Sequence, residues 1–218
     1  MNEFLEPIKL SLQVALIAVV IVAIASVVIG WIMSNKPVKA KSALETLFLL
    51  PIVLPPTVVG FLLIIIFGRN SWVGKIIDQT FDQSIMFTMS AAVIAAIVVS
   101  FPLMYQSVKT GFDLVDKDIE NAARMDGASE WNVVCYVSLP LCYRSIIAGI
   151  VLSFARAMGE FGATIMFAGN IPGKTQTIPT AIYVAMESNR MNLAWSWVIA
   201  IVSLSFIALF LLRRANKN

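Results

Sequence analysis

Histidine is absent from the 218 residues, and cysteine occurs only twice, at Cys135 and Cys142. The first absence removes the side chain that most often serves as a general base or metal ligand near neutral pH. The second leaves too few soft ligands for a structural zinc, which takes four. No metal site is therefore expected. Charge is scarce too: 13% of residues are Asp, Glu, Lys or Arg, against about 25% in an ordinary soluble domain. No acid cluster lies within the apolar part of the chain, so a membrane enzyme would have no catalytic constellation to work with. The formal net charge of +3 is too small to point to nucleic acid as a partner.

What is abundant is apolar surface, 59% of the residues, and it is concentrated in uninterrupted runs. Such runs, near or above the roughly 20 residues that cross a hydrocarbon core, mark membrane spans. Five are expected, at about residues 10–33, 44–67, 85–108, 141–168 and 193–212. The fold class is thus an all-α integral membrane protein, a single transmembrane domain over residues 1–218 in contact with membrane lipid. The first run is read as a retained span. It is too long for a signal peptide, and Glu3 and Glu6 stand where a signal peptide carries positive charge. Between the last two runs, Ile178 to Met186 is apolar but too short to cross, so residues 171–191 read as a re-entrant or interfacial segment. A full span there would move the C-terminus to the other side.

Lysine and arginine set the orientation. One side receives Lys36, Lys39, Lys41, Lys109, Lys117, Arg124, Arg144, Arg213, Arg214 and Lys217; the other receives Lys9, Arg69, Lys75, Lys174 and Arg190. The richer side is taken as cytoplasmic. That places the N-terminus outside, the C-terminus inside, and both cysteines on the reducing side, where a disulfide is not expected.

Residues 113–140, DLVDKDIENAARMDGASEWNVVCYVSLP, form the long cytoplasmic loop. Asp118 and Glu120 favour a helix start there. Gly127 suits the left-handed residue that ends a helix, and Ser129 suits the N-cap of a second one. Ala122, Ala123, Gly127 and Ala128 are small enough to let another surface approach. Two readings stand on composition: a helix-turn-helix knob, or an amphipathic loop lying on lipid headgroups.

The loop resembles the signature of binding-protein-dependent ABC importer permeases: E-A-A, three residues, G, nine residues, a branched apolar residue, one residue, then L-P. The matching residues are Asn121, Ala122, Ala123, Gly127, Val137, Leu139 and Pro140. The motif's glutamate position holds Asn121, with Glu120 one residue earlier. Residues 50–74 (LPIVLPPTVVGFLLIIIFGRNSWVG) and 155–183 (ARAMGEFGATIMFAGNIPGKTQTIPTAIY) are similar to segments of molybdate permeases. The resemblance implies a type I importer permease bundle in a prokaryotic plasma membrane. It implies a second copy of the chain, ABC ATPase subunits carrying ATP and magnesium, and an extracytoplasmic molybdate-binding protein. This chain would bind no cofactor itself. The loop would be the coupling helix that docks on the ATPase. Molybdate, with tungstate beside it, is the implied cargo; sulfate or thiosulfate is the alternative. An ion-coupled carrier or channel is the alternative of another class. It would call for more intramembrane ionisable groups and would leave the loop motif unexplained.

Two such groups are present, Arg156 and Glu160, four residues apart in the fourth run and so expected on one helical face. They read either as an internal ion pair or as a border of the translocation path. Pro51, Pro55 and Pro56 in the second run read either as a static kink or as a gating bend. Thr57, Ser100 and Ser153 are hydroxyls that either bond their own helices or line the path. Residues 169–175, GNIPGKT, resemble a phosphate loop but have three residues where that loop has four, and read as an external turn.

Overall fold

The computed structural model describes residues 2–215, and every regular element among them is helical. Lys217, counted above for orientation, lies outside the described residues. The first helix, α1 (Asn2–Asn35), begins earlier than its apolar run because neighbours hold its first turns. The Trp197 indole N–H donates to the Phe4 carbonyl (3.0 Å), and Ser11 Oγ accepts the Ile178 N–H (2.8 Å).

The second run is two helices, α2 (Lys41–Val53) and α3 (Pro56–Phe67), meeting at 117°. This is a break, sharper than the kink read from the sequence. Pro55 has no N–H to continue α2, and Pro56 takes the first position of α3, where none is needed. After α4 (Trp72–Phe81), capped by Ser71, comes α5 (Met89–Asp113), capped by Thr88. The knob follows: α6 (Lys117–Met125), α7 (Glu130–Val133), a π-helical turn (Val134–Ser138) and α8 (Leu139–Leu141). A bend of 71° leads into α9 (Tyr143–Met158). The fourth run does not continue to residue 168 as one helix. It stops at Gly159 and resumes as α10 (Gly162–Phe167). The segment 171–191 contains only a short helix, α11 (Ile178–Glu187), and α12 (Met191–Ala215) completes the described chain.

Among the described residues three helices, those containing residues 3–35, 89–113 and 191–210, are long and apolar enough to cross on their own, and the number rises to as many as five if each bent pair, Lys41–Val53 with Pro56–Phe67 and Glu130–Leu141 with Tyr143–Met158, is one span. Helix α5 is the hub, with α1 and α9 on its flanks and α2 and α10 against it. It packs against α1, and Ala15 and Ala18 of α1 and Ala91, Ala92, Ala95 and Ala96 of α5 are all buried in one core cluster. Small side chains let backbones approach closely where no hydrophobic effect drives helices together. The outward face of α1 shows Leu16, Val20, Ile24 and Val28, and that of α12 shows Ile199, Val202, Phe206 and Phe210. These rows face lipid.

The two broken spans pack on each other, α3 against α10. A Cβ on Gly60 would sit 2.7 Å from Met166 Cβ and 3.0 Å from Ala163 Cα; one on Gly162 would sit 2.8 Å from Pro56 Cβ. Both are closer than real Cβ contacts, so glycine is what permits this crossing.

Candidate functional site

The knob is built by its caps. Asp116 accepts the Asp118 N–H (2.9 Å) at the start of α6, and Ser129 accepts the Asn132 N–H (3.3 Å) at the start of α7. Between them Gly127 takes φ +88°, with nothing within 4 Å of the place a Cβ would occupy. The helix-turn-helix expected from the sequence is therefore present. Ala122 and Gly127 are exposed on it, and Ala123 is partly so. Met125 (86% exposed) and Trp131 (74% exposed) project beside them. This is a small-residue platform edged by two large apolar side chains, a shape suited to a protein groove.

Glu120 and Asn121 separate clearly. Glu120 is 1% exposed. Its Oε1 accepts the Ser138 hydroxyl at 2.8 Å, and its Oε2 receives Lys117 Nζ at 3.2 Å and faces Arg124 Nη2 at 3.6 Å. Asn121 is exposed, and its Oδ1 accepts from Arg124 Nη1 at 2.9 Å. The acid one residue before the motif's position thus ties α6 to the π-helical turn from inside, while Asn121 lies on the outer surface. Sequence reasoning missed Ser138. The signal was a lone hydroxyl in an apolar stretch, two residues before Pro140. Val137 and Leu139 are partly buried and Pro140 is exposed, where the chain turns into α9.

Arg124 also clasps Glu130 across the turn, Nε to Oε1 at 2.7 Å. That guanidinium holds the Glu130 carboxyl below its ordinary range. Ties run from the knob to the spans. Lys117 Nζ donates to Asn35 Oδ1 (2.5 Å) at the end of α1. The knob is thereby tied to α1 and, through Glu120 and Ser138, to the stretch that leads into α9. Within the bundle, Lys109 near the end of α5 contacts Asp113 of the same helix (2.6 Å) and Glu45 of α2 (3.6 Å), tying α5 to α2.

Arg156 and Glu160 do not share one helix. Arg156 lies in the last turn of α9, and Glu160 stands in the break beyond it. They still meet, Nη1 to Oε2 at 2.6 Å, as an ion pair and not as an aligned hydrogen bond. Glu160 Oε1 accepts the Ala163 N–H at 2.7 Å, satisfying a backbone donor that the break exposes and that lipid has no means to satisfy. Glu160 is buried, whereas the Arg156 side chain is 31% exposed. Pro51 lies inside α2; Pro55, Pro56 and Thr57 are exposed at the other break. Ser100 bonds the Ala96 carbonyl (2.6 Å), and Ser153 bonds the Ser100 carbonyl (3.2 Å); both are buried. The GNIPGKT stretch is a turn, with Gly169 and Gly173 at positive φ and Thr175 Oγ1 accepting the Ile171 N–H (2.9 Å).

A helical bundle of three to five spans, with an amphipathic knob tied to α1 and to the start of α9, fits a transporter's membrane subunit. The family of binding-protein-dependent transport system inner membrane components matches residues 26–218, and the chain belongs to it. It is a multi-pass plasma-membrane protein, the permease subunit of an ABC importer. Over 217 residues, all of this chain and 96% of the relative, it is 56% identical to YvgM of Bacillus subtilis (strain 168), provisionally named a molybdenum transport system permease protein. Over 184 residues, 84% of this chain and 80% of the relative, it is 40% identical to the molybdenum transport system permease protein ModB of Haemophilus influenzae. The fold is shared with a chain of a bacterial alginate ABC transporter solved with its periplasmic protein. That match has a TM-score of 0.77 at 16% identity and covers 100% of this chain and 78% of that one.

Proposed function

We propose that two copies of this chain form the membrane path of a molybdate importer. Two ATPase subunits, carrying ATP and magnesium, dock on the knobs, and an extracytoplasmic molybdate-binding protein delivers the anion at the opposite face. The observation that carries this reading is the knob itself, small residues on an outer platform with a buried Glu120 behind them. Likeness to relatives named for molybdenum transport supports the choice of cargo. The knob lies on the lysine- and arginine-rich side, which supports a cytoplasmic assignment for it.

Closure of the ATPases on ATP pushes α6. Glu120 passes that push to Ser138 and the start of α9, and Lys117 passes it to α1. The breaks at Pro55–Pro56 and at Gly159–Phe161 are where the bundle bends between inward and outward states, and Pro51 keeps α2 short of one backbone bond beside the first. The chain does no covalent chemistry of its own.

Labelled molybdate uptake in cells lacking the gene, with and without its restoration and with excess sulfate as competitor, tests this. Gene-dependent uptake that resists sulfate is expected. Uptake abolished by modest sulfate would move the cargo to sulfate or thiosulfate. No gene-dependent uptake of either anion would overturn the oxyanion reading.

A further inference from the structure

Helix α5 is almost entirely enclosed by its neighbours, and the positions it leaves exposed are Ser90 in its first turn and, along one edge toward its other end, Gln106, Thr110 and Asp113. All four are polar, whereas α1 and α12 turn rows of leucine, isoleucine, valine and phenylalanine outward. An uncovered polar edge on a spanning helix is not a lipid face, because polar groups in hydrocarbon are costly and turn toward protein or water. Gln106 lies about 25 Å along α5 from Met89, inside a hydrocarbon core of roughly 30 Å.

Beside that edge is an open groove of about 350 Å³, bordered by Leu103, Gln106, Ser107 and Thr110 of α5 and by Ser145, Ala148 and Leu152 of α9. On α9 these recur at helical spacing, and the next position of the same stripe, one turn on from Leu152, is Arg156. None of the seven carries a charge. Lys109, next to Thr110, is turned away to Asp113 and Glu45, and Arg156 is neutralised by Glu160.

We infer that this stripe is the inner wall of the passage, facing the second copy across water, and that the oxyanion leaves the membrane along it. The inference rests on the two-copy reading above. Amide and hydroxyl donors suit a departing tetrahedral oxyanion. They hydrogen-bond it weakly and release it, while an unpaired cation would hold it. Ala148 and Leu152 keep the wall smooth above the polar end, and Thr110 and Ser145, the lining residues nearest the knob along the chain, mark the exit.

Cysteine accessibility in the reconstituted full assembly tests this. The two native cysteines are first replaced (Cys135→Ser, Cys142→Ala), and this parent must retain uptake and its ATPase partner, so that failure of the importer reading is seen separately. Gln106→Cys, Thr110→Cys and Ser145→Cys are then labelled with a charged thiosulfonate in the nucleotide-free state. Val202→Cys and Phe206→Cys on the lipid face of α12 serve as controls. Only a thiolate reacts, and it forms where water reaches. Labelling at the three groove positions is expected to be at least roughly tenfold faster than at the controls, since lipid excludes water and ions. It is expected to slow when the ATPases are trapped closed. Groove labelling as slow as at Phe206→Cys in a transporting assembly would overturn the inference. Fast labelling that is identical with and without trapping would also overturn it, by marking a static crevice.

Discussion

Replacing Glu120 with alanine removes the one side chain that holds the knob together from within. Its hydrogen bond from Ser138 at 2.8 Å is charge-assisted and buried, a class that contributes about 1.5–3 kcal/mol. The contacts from Lys117 and Arg124 come from partly exposed cations and are worth less than about 1 kcal/mol each. Ser138 retains only a long approach to the Val133 carbonyl, 3.4 Å. A loss of about 2–3 kcal/mol raises the open population of the knob roughly 30- to 150-fold. Trypsin added to inside-out vesicles reads that population at Lys117 and Arg124, provided opening is fast relative to cleavage. Glu120→Ala should be cut faster by that order and lose uptake even with the ATPase present. Glu120→Gln keeps an acceptor for Ser138 and should lie close to wild type. Asn121→Ala, which removes only a surface contact to Arg124, should leave cleavage nearly unchanged. Equal cleavage of Glu120→Ala and wild type, or faster cleavage of Asn121→Ala than of Glu120→Ala, would refute the assignment of the motif's acid role to Glu120.

Arg156→Gln or Glu160→Ala alone leaves one charge unpaired within the membrane, at roughly 2.5–3.5 kcal/mol, and should reduce assembly yield. Arg156→Gln with Glu160→Gln keeps an acceptor for the Ala163 N–H and should restore both yield and molybdate uptake. Gly60→Val or Gly162→Val should lower the thermal stability of the purified assembly by about 1–3 kcal/mol through overpacking at the α3–α10 crossing, while a serine at the exposed Thr57 should leave it unchanged. Glu130 is held below its ordinary value of 4.5 by Arg124. A depressed carboxyl stabilises the fold above its unfolded pKa and loses that effect as pH falls through the folded one. Hydrogen-exchange protection of the knob, corrected for the intrinsic rate at each pH, should therefore be flat from about pH 8 to about pH 5 and decline only below that.

The spans and the knob were legible in the sequence because each rests on local signals. Apolar length marks a crossing, and in a polar loop Gly127 and Ser129 suit a helix end and a helix start by their own backbone and side chain. The breaks were legible only where proline announced them. In ARAMGEFGATIMF Gly159 and Gly162 flank the interruption, but glycine is also common inside spanning helices, and the carboxylate that stabilises the break is itself part of the apolar run. The same local spacing that pairs Arg156 with Glu160 on a helix also pairs them across its end, so the partner was right and the backbone was not. Glu120 looked like a helix-starting acid. Its burial depends on Ser138, 18 residues on, a contact that no periodicity reveals.

The crossing of α3 and α10 also orders events during synthesis. Gly60 emerges 102 residues before Gly162, a wait of roughly 5–20 s at ordinary elongation rates. For that time the break at Pro55–Pro56 satisfies its backbone N–H groups within the second span but has no Gly162 to pack against. The second span is therefore made without the partner that fills the inside of its bend. That packing comes only after the fourth has followed it into the membrane, so the last half of the chain finishes the first.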